Sequence, residues 1–318
     1  MQKITLSNGI EMPSITLNDG LIVPSMAFGP GIMMRGRKLH QGDSVFDRIV
    51  RKFQWKIQFL YFRIKQTPAY KKSVLYAIQQ AGFRWIDYSA SYDQVKTIGE
   101  CIKKCGIPRR DLIVTTRITN RAQFTHTQRE AFLANLKELQ LDYVDVLMFH
   151  WPVTGHFLET WKVMESLKKE GFAKSIGVAN CHQHHLEDIL NNGDEPPSIN
   201  QFEQHPWLNQ ISLVDFCKRN KIVPQAYAPT ARQEAIGGEG CLMEIANKHK
   251  KTPTQIILRW HIQNGVIPVV RALNPKHQCE NIDIFNFELS VDDMEKMKTL
   301  NCNFRVWPNP DNCDFKKL

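Results

Sequence analysis

The 318-residue chain has nowhere the roughly 18 unbroken apolar residues that a membrane span requires. Its first residues, Met1 to Gly9, lack the charged cap and apolar run of a secretory signal. Membrane spanning and signal-directed secretion are therefore not expected, and a cytoplasmic location is. The eight cysteines (101, 105, 181, 217, 241, 279, 302 and 313) lack any paired framework, in a chain long enough to build its own core. They read as mostly buried thiols. Acidic residues are scarce in one place: residues 35 to 65 hold nine Lys/Arg against only Asp43 and Asp47, so this segment carries +7 of the net +9. The basicity is local, and no nucleic-acid-reading motif accompanies it.

What is present begins with a repeat. Thr5-Leu6-Ser7-Asn8-Gly9-Ile10 is echoed at an offset of 11 by Thr16-Leu17-Asn18-Asp19-Gly20-Leu21. Each copy predicts a hairpin with a two-residue turn, because Asn-Gly and Asp-Gly tolerate positive φ. The resulting small β structure is expected to lie over one end of a barrel.

From residue 83 onward, short β-branched or aromatic runs alternate with longer helical patterns. Strands are predicted at 83–87, 112–116, 144–149, 173–178, 198–201, 222–226 and 266–270, and helices at 128–139, 157–170, 211–219 and 253–263. Alternation of this kind implies parallel strands joined by right-handed crossovers. With Ser25 to Gly29 as the first strand the count reaches about eight, which closes a (β/α)8 TIM barrel. A doubly wound open sheet is the rival, but no Gly-x-Gly-x-x-Gly opens any of the helices. Residues 1 to 318 are read as one barrel domain, interrupted by an insertion at about 32–67.

In a barrel, chemistry gathers at the strand C-terminal ends. Asp87, Arg117 and His150 end predicted strands there, and Tyr92 follows Asp87 by five residues. The blocks Phe83 to Tyr92, Gly106 to Arg117 and Leu141 to Pro152 resemble the aldo-keto reductase family. The resemblance resumes at Gly177 to Asn180, Asn200 to Pro206, Ala226 to Pro229 and Pro253 to His261. It covers about residues 16 to 32 and 68 to 304. It implies reduction of an aldehyde or ketone by hydride transfer, with Tyr92 as general acid and His150 orienting the carbonyl. A phenol with a pKa near roughly 10 needs a nearby cation for this task. The family uses a lysine paired to the Asp87 equivalent; here Arg117 stands in its place, planar, permanently charged and suited to a bidentate grip on Asp87.

The same resemblance implies that Asn180 and Gln201 hold the nicotinamide carboxamide and that Tyr227 stacks on its ring. The adenosine end would fall on Arg271, Asn274, His277, Glu280 and Asn281. Arg271 and Lys276 favour NADP(H) over NAD(H) by offering charge to a 2′-phosphate. Ala179, Ala228 and Ala272 replace serines usual in the family, with Thr230 or Arg232 as substitutes for one lost contact. Trp151 would be an apolar wall of the substrate pocket. These departures keep an alternative open: a catalytically altered or inactive barrel that binds a ligand or partner, or that performs acid-base chemistry on a bound ligand.

Two further features bear on partners. Cys181, His182, His184 and His185 cluster at a helix start, but their spacing supplies no completing ligand, so no metal is expected. In the basic insertion Phe46, Ile49, Val50, Phe53, Ile57, Leu60, Tyr61 and Ile64 form an apolar stripe on a predicted helix over 45–64, capped by Asp43 or Ser44. That helix is read as docked on the barrel, as a wall attracting an anionic substrate, or as a peripheral membrane or protein contact.

Overall fold

The computed structural model describes residues 3–5, 9, 11–31, 67–92, 94–231 and 240–316. The predicted basic helix and Arg232 lie outside the described residues. Eight parallel strands close into a barrel in chain order: β4 (Ala27–Phe28), β5 (Trp85–Asp87), β6 (Ile113–Ile118), β7 (Val144–Phe149), β8 (Ala173–Ala179), β9 (Ile199–Glu203), β10 (Val223–Tyr227) and β11 (Ile267–Val270). Closure is made where β11 pairs with β4 through Val269 opposite Ala27 and Val270 opposite Phe28. The wall strands are buried on both faces, and all six residues of β7 are buried.

Helices cover the outside: α1 (Thr67–Gln79), α2 (Val95–Lys104), α3 (Asn120–Phe124), α4 (Gln128–Leu139), α5 (Phe157–Lys169), α6 (Gln183–Asn192), α7 (Ile211–Arg219), α8 (Gly240–His249), α9 (Pro253–Gln263), α10 (Pro275–Ile282) and α11 (Val291–Lys298). Local chemistry starts several of them. Thr252 and Gln255 form a reciprocal capping box ahead of Pro253 at the first turn of α9. Ser290 and Asp293 do the same for α11.

The N-terminal repeat folds as a three-stranded antiparallel sheet in which β2 (Glu11–Thr16) is shared between β1 (Lys3–Thr5) and β3 (Ile22–Pro24). The second hairpin departs from the expected two-residue turn. Leu17 N–H donates to Leu21 O at 2.8 Å and Gly20 N–H to Leu17 O at 3.0 Å, so Asn18, Asp19 and Gly20 form a three-residue loop with Gly20 at φ +91°. Thr16 pairs with Ile22, and this register leaves five residues to span, one turn type longer. Leu17 and Val23 pack with Trp85, Ile199 and Ile267, the first residues of three barrel strands. The sheet therefore plugs the N-terminal end of the barrel, and the other end is left for chemistry.

None of the eight cysteines is in a disulfide. Burial pushes the Cys101 and Cys217 thiols up to about 12, so both are inert packing groups. Among the described residues no helix is long and apolar enough to cross a membrane.

Candidate active site

Strand C-termini position the polar groups. Asp87 ends β5, Arg117 is the penultimate residue of β6, and Tyr227 ends β10. His150 and Asn180 follow β7 and β8 directly, while Gln201 lies within β9. Asn180 adopts φ +62°, a left-handed conformation that asparagine tolerates better than most residues and that turns its amide back over the strand ends.

Three of these residues form one buried network. Arg117 and Asp87 are each 4% exposed. Arg117 Nη2 lies 2.6 Å from Asp87 Oδ1 and 2.9 Å from Oδ2, and donates to Gln201 Oε1 at 2.7 Å; Nη1 donates to Tyr88 O at 2.9 Å. The arginine thus meets the carboxylate through one nitrogen, end on, and not through the two-nitrogen fork anticipated from its shape. The second nitrogen is diverted because the Tyr88 carbonyl lies within its reach. Gln201 Nε2 donates to Asp87 Oδ2 and to Gln225 Oε1, each at 2.7 Å. A buried ion pair survives desolvation only when its remaining hydrogen-bonding positions are filled, and Gln201 and Tyr88 fill them.

A second chain runs along the rim. Tyr227 OH donates to Asn180 Oδ1 at 2.7 Å, and Asn180 Nδ2 donates to His150 O at 2.8 Å. Asn180 N–H donates to Gln201 O at 2.7 Å and ties this chain to the buried network. The half-buried His150 ring is pushed down to about 3 by burial and then by the Arg117 charge. It is a neutral imidazole throughout the physiological range. Its Nδ1 lies 3.2 Å from Ser91 Oγ. If the hydroxyl donates there, the proton resides on Nε2, available to a carbonyl oxygen.

Tyr92 sits in the turn after β5, held by its N–H donating to Ser89 O at 3.0 Å and by Tyr88 OH donating to its carbonyl at 2.6 Å. Its ring stands edge-on to His150 with centroids 6.4 Å apart. On its other side is Gly31, where a Cβ would fall 2.5 Å from Tyr92 Cε2. Glycine is required there for the backbone to approach the ring. Arg117 and Tyr92 are linked through Tyr88, whose carbonyl serves the guanidinium and whose hydroxyl serves the Tyr92 backbone.

The remaining predicted residues fall in two places. Trp151 is buried, with its ring centroid 6.3 Å from Phe315 of the C-terminal tail. Arg271 follows β11, exposed, and Asn274 caps α10 by accepting from Lys276 N–H at 2.9 Å. Glu280 is already engaged by His277 at 3.0 Å and Lys276 at 3.7 Å, and Asn281 is buried. Ala228, at φ +48°, is one of the few non-glycine residues in the left-handed region.

The residues present fit a nicotinamide cofactor. Asn180 retains one N–H and one oxygen lone pair beyond its recorded bonds, and Gln201 Oε1 retains a lone pair; a carboxamide offers the matching donor and acceptor. Arg271 and Lys276 beside the N-terminus of α10 suit a phosphate. Reading from sequence missed Gln225, Tyr88, Ser91 and Gly31. Ser91 and Tyr88 adjoin the predicted residues, a usable signal; Gln225 is visible only once β9 and β10 are paired at Gln201 opposite Gln225.

The chain matches the Aldo/keto reductase family over residues 62–235 and 240–301. It is 39% identical over 254 residues to glyoxal reductase of Bacillus subtilis, covering 80% of this chain and 91% of the relative. To methylglyoxal reductase DkgA of Escherichia coli K12 it is 36% identical over 253 residues, covering 76% and 90%. Among solved structures, an aldo-keto reductase from a Medee basin deep-sea metagenome library superposes with a TM-score of 0.80 at 31% identity, covering 95% of this chain and all of that one. The Bombyx mori aldo-keto reductase in complex with NADP superposes with a TM-score of 0.78 at 30% identity, covering 95% and 97%.

Proposed function

This chain belongs to the aldo/keto reductase family of oxidoreductases, and on that premise we propose that it reduces a small aldehyde or ketone to the alcohol with NADPH, Tyr92 acting as general acid. The observation that carries the reading is the joint position of Tyr92, the neutral His150 and the buried Asp87–Arg117 pair at one end of the barrel. Bound nicotinamide would supply the hydride. Tyr92 gives its phenolic proton to the carbonyl oxygen, and the guanidinium charge favours the phenolate left behind. His150, held by Ser91, orients the oxygen as a hydrogen-bond donor and is not the acid, because the remaining N–H of a neutral imidazole is far weaker as an acid than the phenol. Asn180 and Gln201 bind the carboxamide and Tyr227 covers the ring face. Arg271, with Lys276, Asn274 and His277 around the start of α10, receives the adenosine phosphate, and Glu280 and Asn281 the adenine.

Relatives named for glyoxal and methylglyoxal reduction support small dicarbonyls as the first substrates to screen. The +7 charge of residues 35–65 supports anionic carbonyl compounds as the second group. The test is titration with NADPH and, separately, NADH by tryptophan quenching, followed by turnover of these compounds by the native chain and by Tyr92→Phe. Selective NADPH binding in both proteins, with turnover reduced about 10²- to 10⁴-fold in the variant, is expected. Failure of the native chain to bind either nucleotide at millimolar concentration overturns the reductase reading.

A further inference from the structure

The start of α6 carries four residues of metal-ligand type, and the fold sorts them. Cys181 is fully buried and belongs to the hydrophobic core. The rings of His182, His184 and His185 gather instead, with centroids 3.9 Å apart for His184 and His185, 6.2 Å for His182 and His185, and 6.3 Å for His182 and His184. Sequence spacing offers no completing ligand. The C-terminal tail provides one: Asp311 Oδ2 lies 2.8 Å from His182 Nδ1 and Oδ1 lies 3.4 Å from His184 Nε2. One ligand atom from each of His184, His185 and Asp311 lies within 4.8 Å of the others.

We propose that His182, His184, His185 and Asp311 form a binding site for a divalent transition-metal ion of the zinc class, which ties the C-terminal tail to the active-site rim. Tetrahedral coordination with bonds of about 2.0–2.1 Å places ligand atoms about 3.3–3.4 Å apart, a spacing already met by His184 and Asp311. His185 Nδ1 accepts from His182 N–H at 3.2 Å, which leaves its Nε2 as the ligand atom, and the remaining ligand spacings require rotation of the His182 and His184 rings. Three imidazoles and one carboxylate select zinc, cobalt, nickel or copper over magnesium and calcium, which prefer all-oxygen sites. The carboxylate also offsets the positive end of the α6 dipole.

The turn presenting Asp311 is itself fixed. Pro310 is buried, and Asn309 Oδ1 accepts from Asp311 N–H at 3.1 Å. Beyond it the tail reaches Phe315, whose ring meets Trp151 and whose carbonyl accepts from Asn120 Nδ2 at 3.2 Å. His182 is two residues from Asn180. An ion here therefore joins the tail that covers Trp151 to the loop that carries an active-site amide.

The experiment uses the tag-free full chain, stripped with chelator and titrated with zinc chloride by calorimetry and with cobalt chloride by visible absorption. One site per chain is expected, with the intense d–d bands of tetrahedral cobalt. Asp311→Asn and the exposed His184→Gln should each weaken zinc at least tenfold, and zinc should slow amide exchange over 306–316 in the native chain alone. His126→Gln, in the separate grouping of His126, His156 and Glu159, should change nothing. No uptake of either ion at micromolar concentration overturns the proposal. So does uptake that survives both Asp311→Asn and His184→Gln, or that is lost with His126→Gln.

Discussion

Arg117→Lys separates the structural role of the guanidinium from its electrostatic one. Nη2 alone contacts Asp87 and Gln201, so an ammonium at that position keeps three of the four contacts and abandons only Tyr88 O, now served by Nη1. Losing a hydrogen bond from a charged donor to this carbonyl costs about 1.5–3 kcal/mol. The variant should unfold at correspondingly lower urea concentration, with an unchanged denaturant slope. Its chemistry should improve. An ammonium concentrates on one nitrogen the charge that a guanidinium spreads over three, and a charge centre brought from about 7 Å to about 5 Å of a developing phenolate, at an effective dielectric constant near 20, would favour it by about 1 kcal/mol. That corresponds to roughly a fivefold rise in kcat. The assay is stopped-flow NADPH oxidation under saturating carbonyl substrate, beside urea denaturation followed by tryptophan fluorescence. An unchanged or lower kcat would refute the electrostatic argument and show a pocket rebuilt around arginine. Unchanged stability would refute the value assigned to the Tyr88 contact.

Gly31→Ala introduces a Cβ at 2.5 Å from the Tyr92 ring, which forces that ring to move; kcat should fall about 10- to 100-fold with NADPH affinity kept, since misplacement of about 1 Å carries such penalties. Equal loss of both would mean that Gly31 serves the fold and not the acid. His150 titrates at about 3 in the native state against about 6.5 when unfolded. Its contribution to stability is therefore complete above about pH 6.5 and is lost as pH falls toward 3, because the unfolded chain takes up the proton first. His150→Gln should remove up to one proton from the slope of unfolding free energy against pH in that window, measured by urea titrations at successive pH values. An identical slope in the variant would contradict the neutral imidazole.

Much of the architecture is legible because strands and helices announce themselves locally. The β-branched runs at 112–116 and 144–149 and the amphipathic stretch at 128–139 correspond closely to β6, β7 and α4, and their alternation leaves few topologies. Asp87, Arg117 and His150 are equally readable, since a polar residue at the end of an apolar strand points to the barrel rim, whereas Asn180 is reached only through the family resemblance. The turn at Asn18–Gly20 is less so: Asp19-Gly20 permits either loop length, and the pairing of Thr16 with Ile22 selects between them.

Residue chemistry alone determined that this protein would build a barrel and which end would hold its polar groups, because burial periodicity and strand-helix alternation are properties of short segments. Tertiary structure decided how those groups are spent. Arg117 meets Asp87 through one nitrogen because Tyr88 O and Gln201 stand within hydrogen-bond reach. Gln225 joins the network through a strand register, and Asp311 meets His182 across 129 residues of chain. Hydrogen bonds act over about 3 Å and depend on direction, so they are specified only when distant segments have been packed against one another.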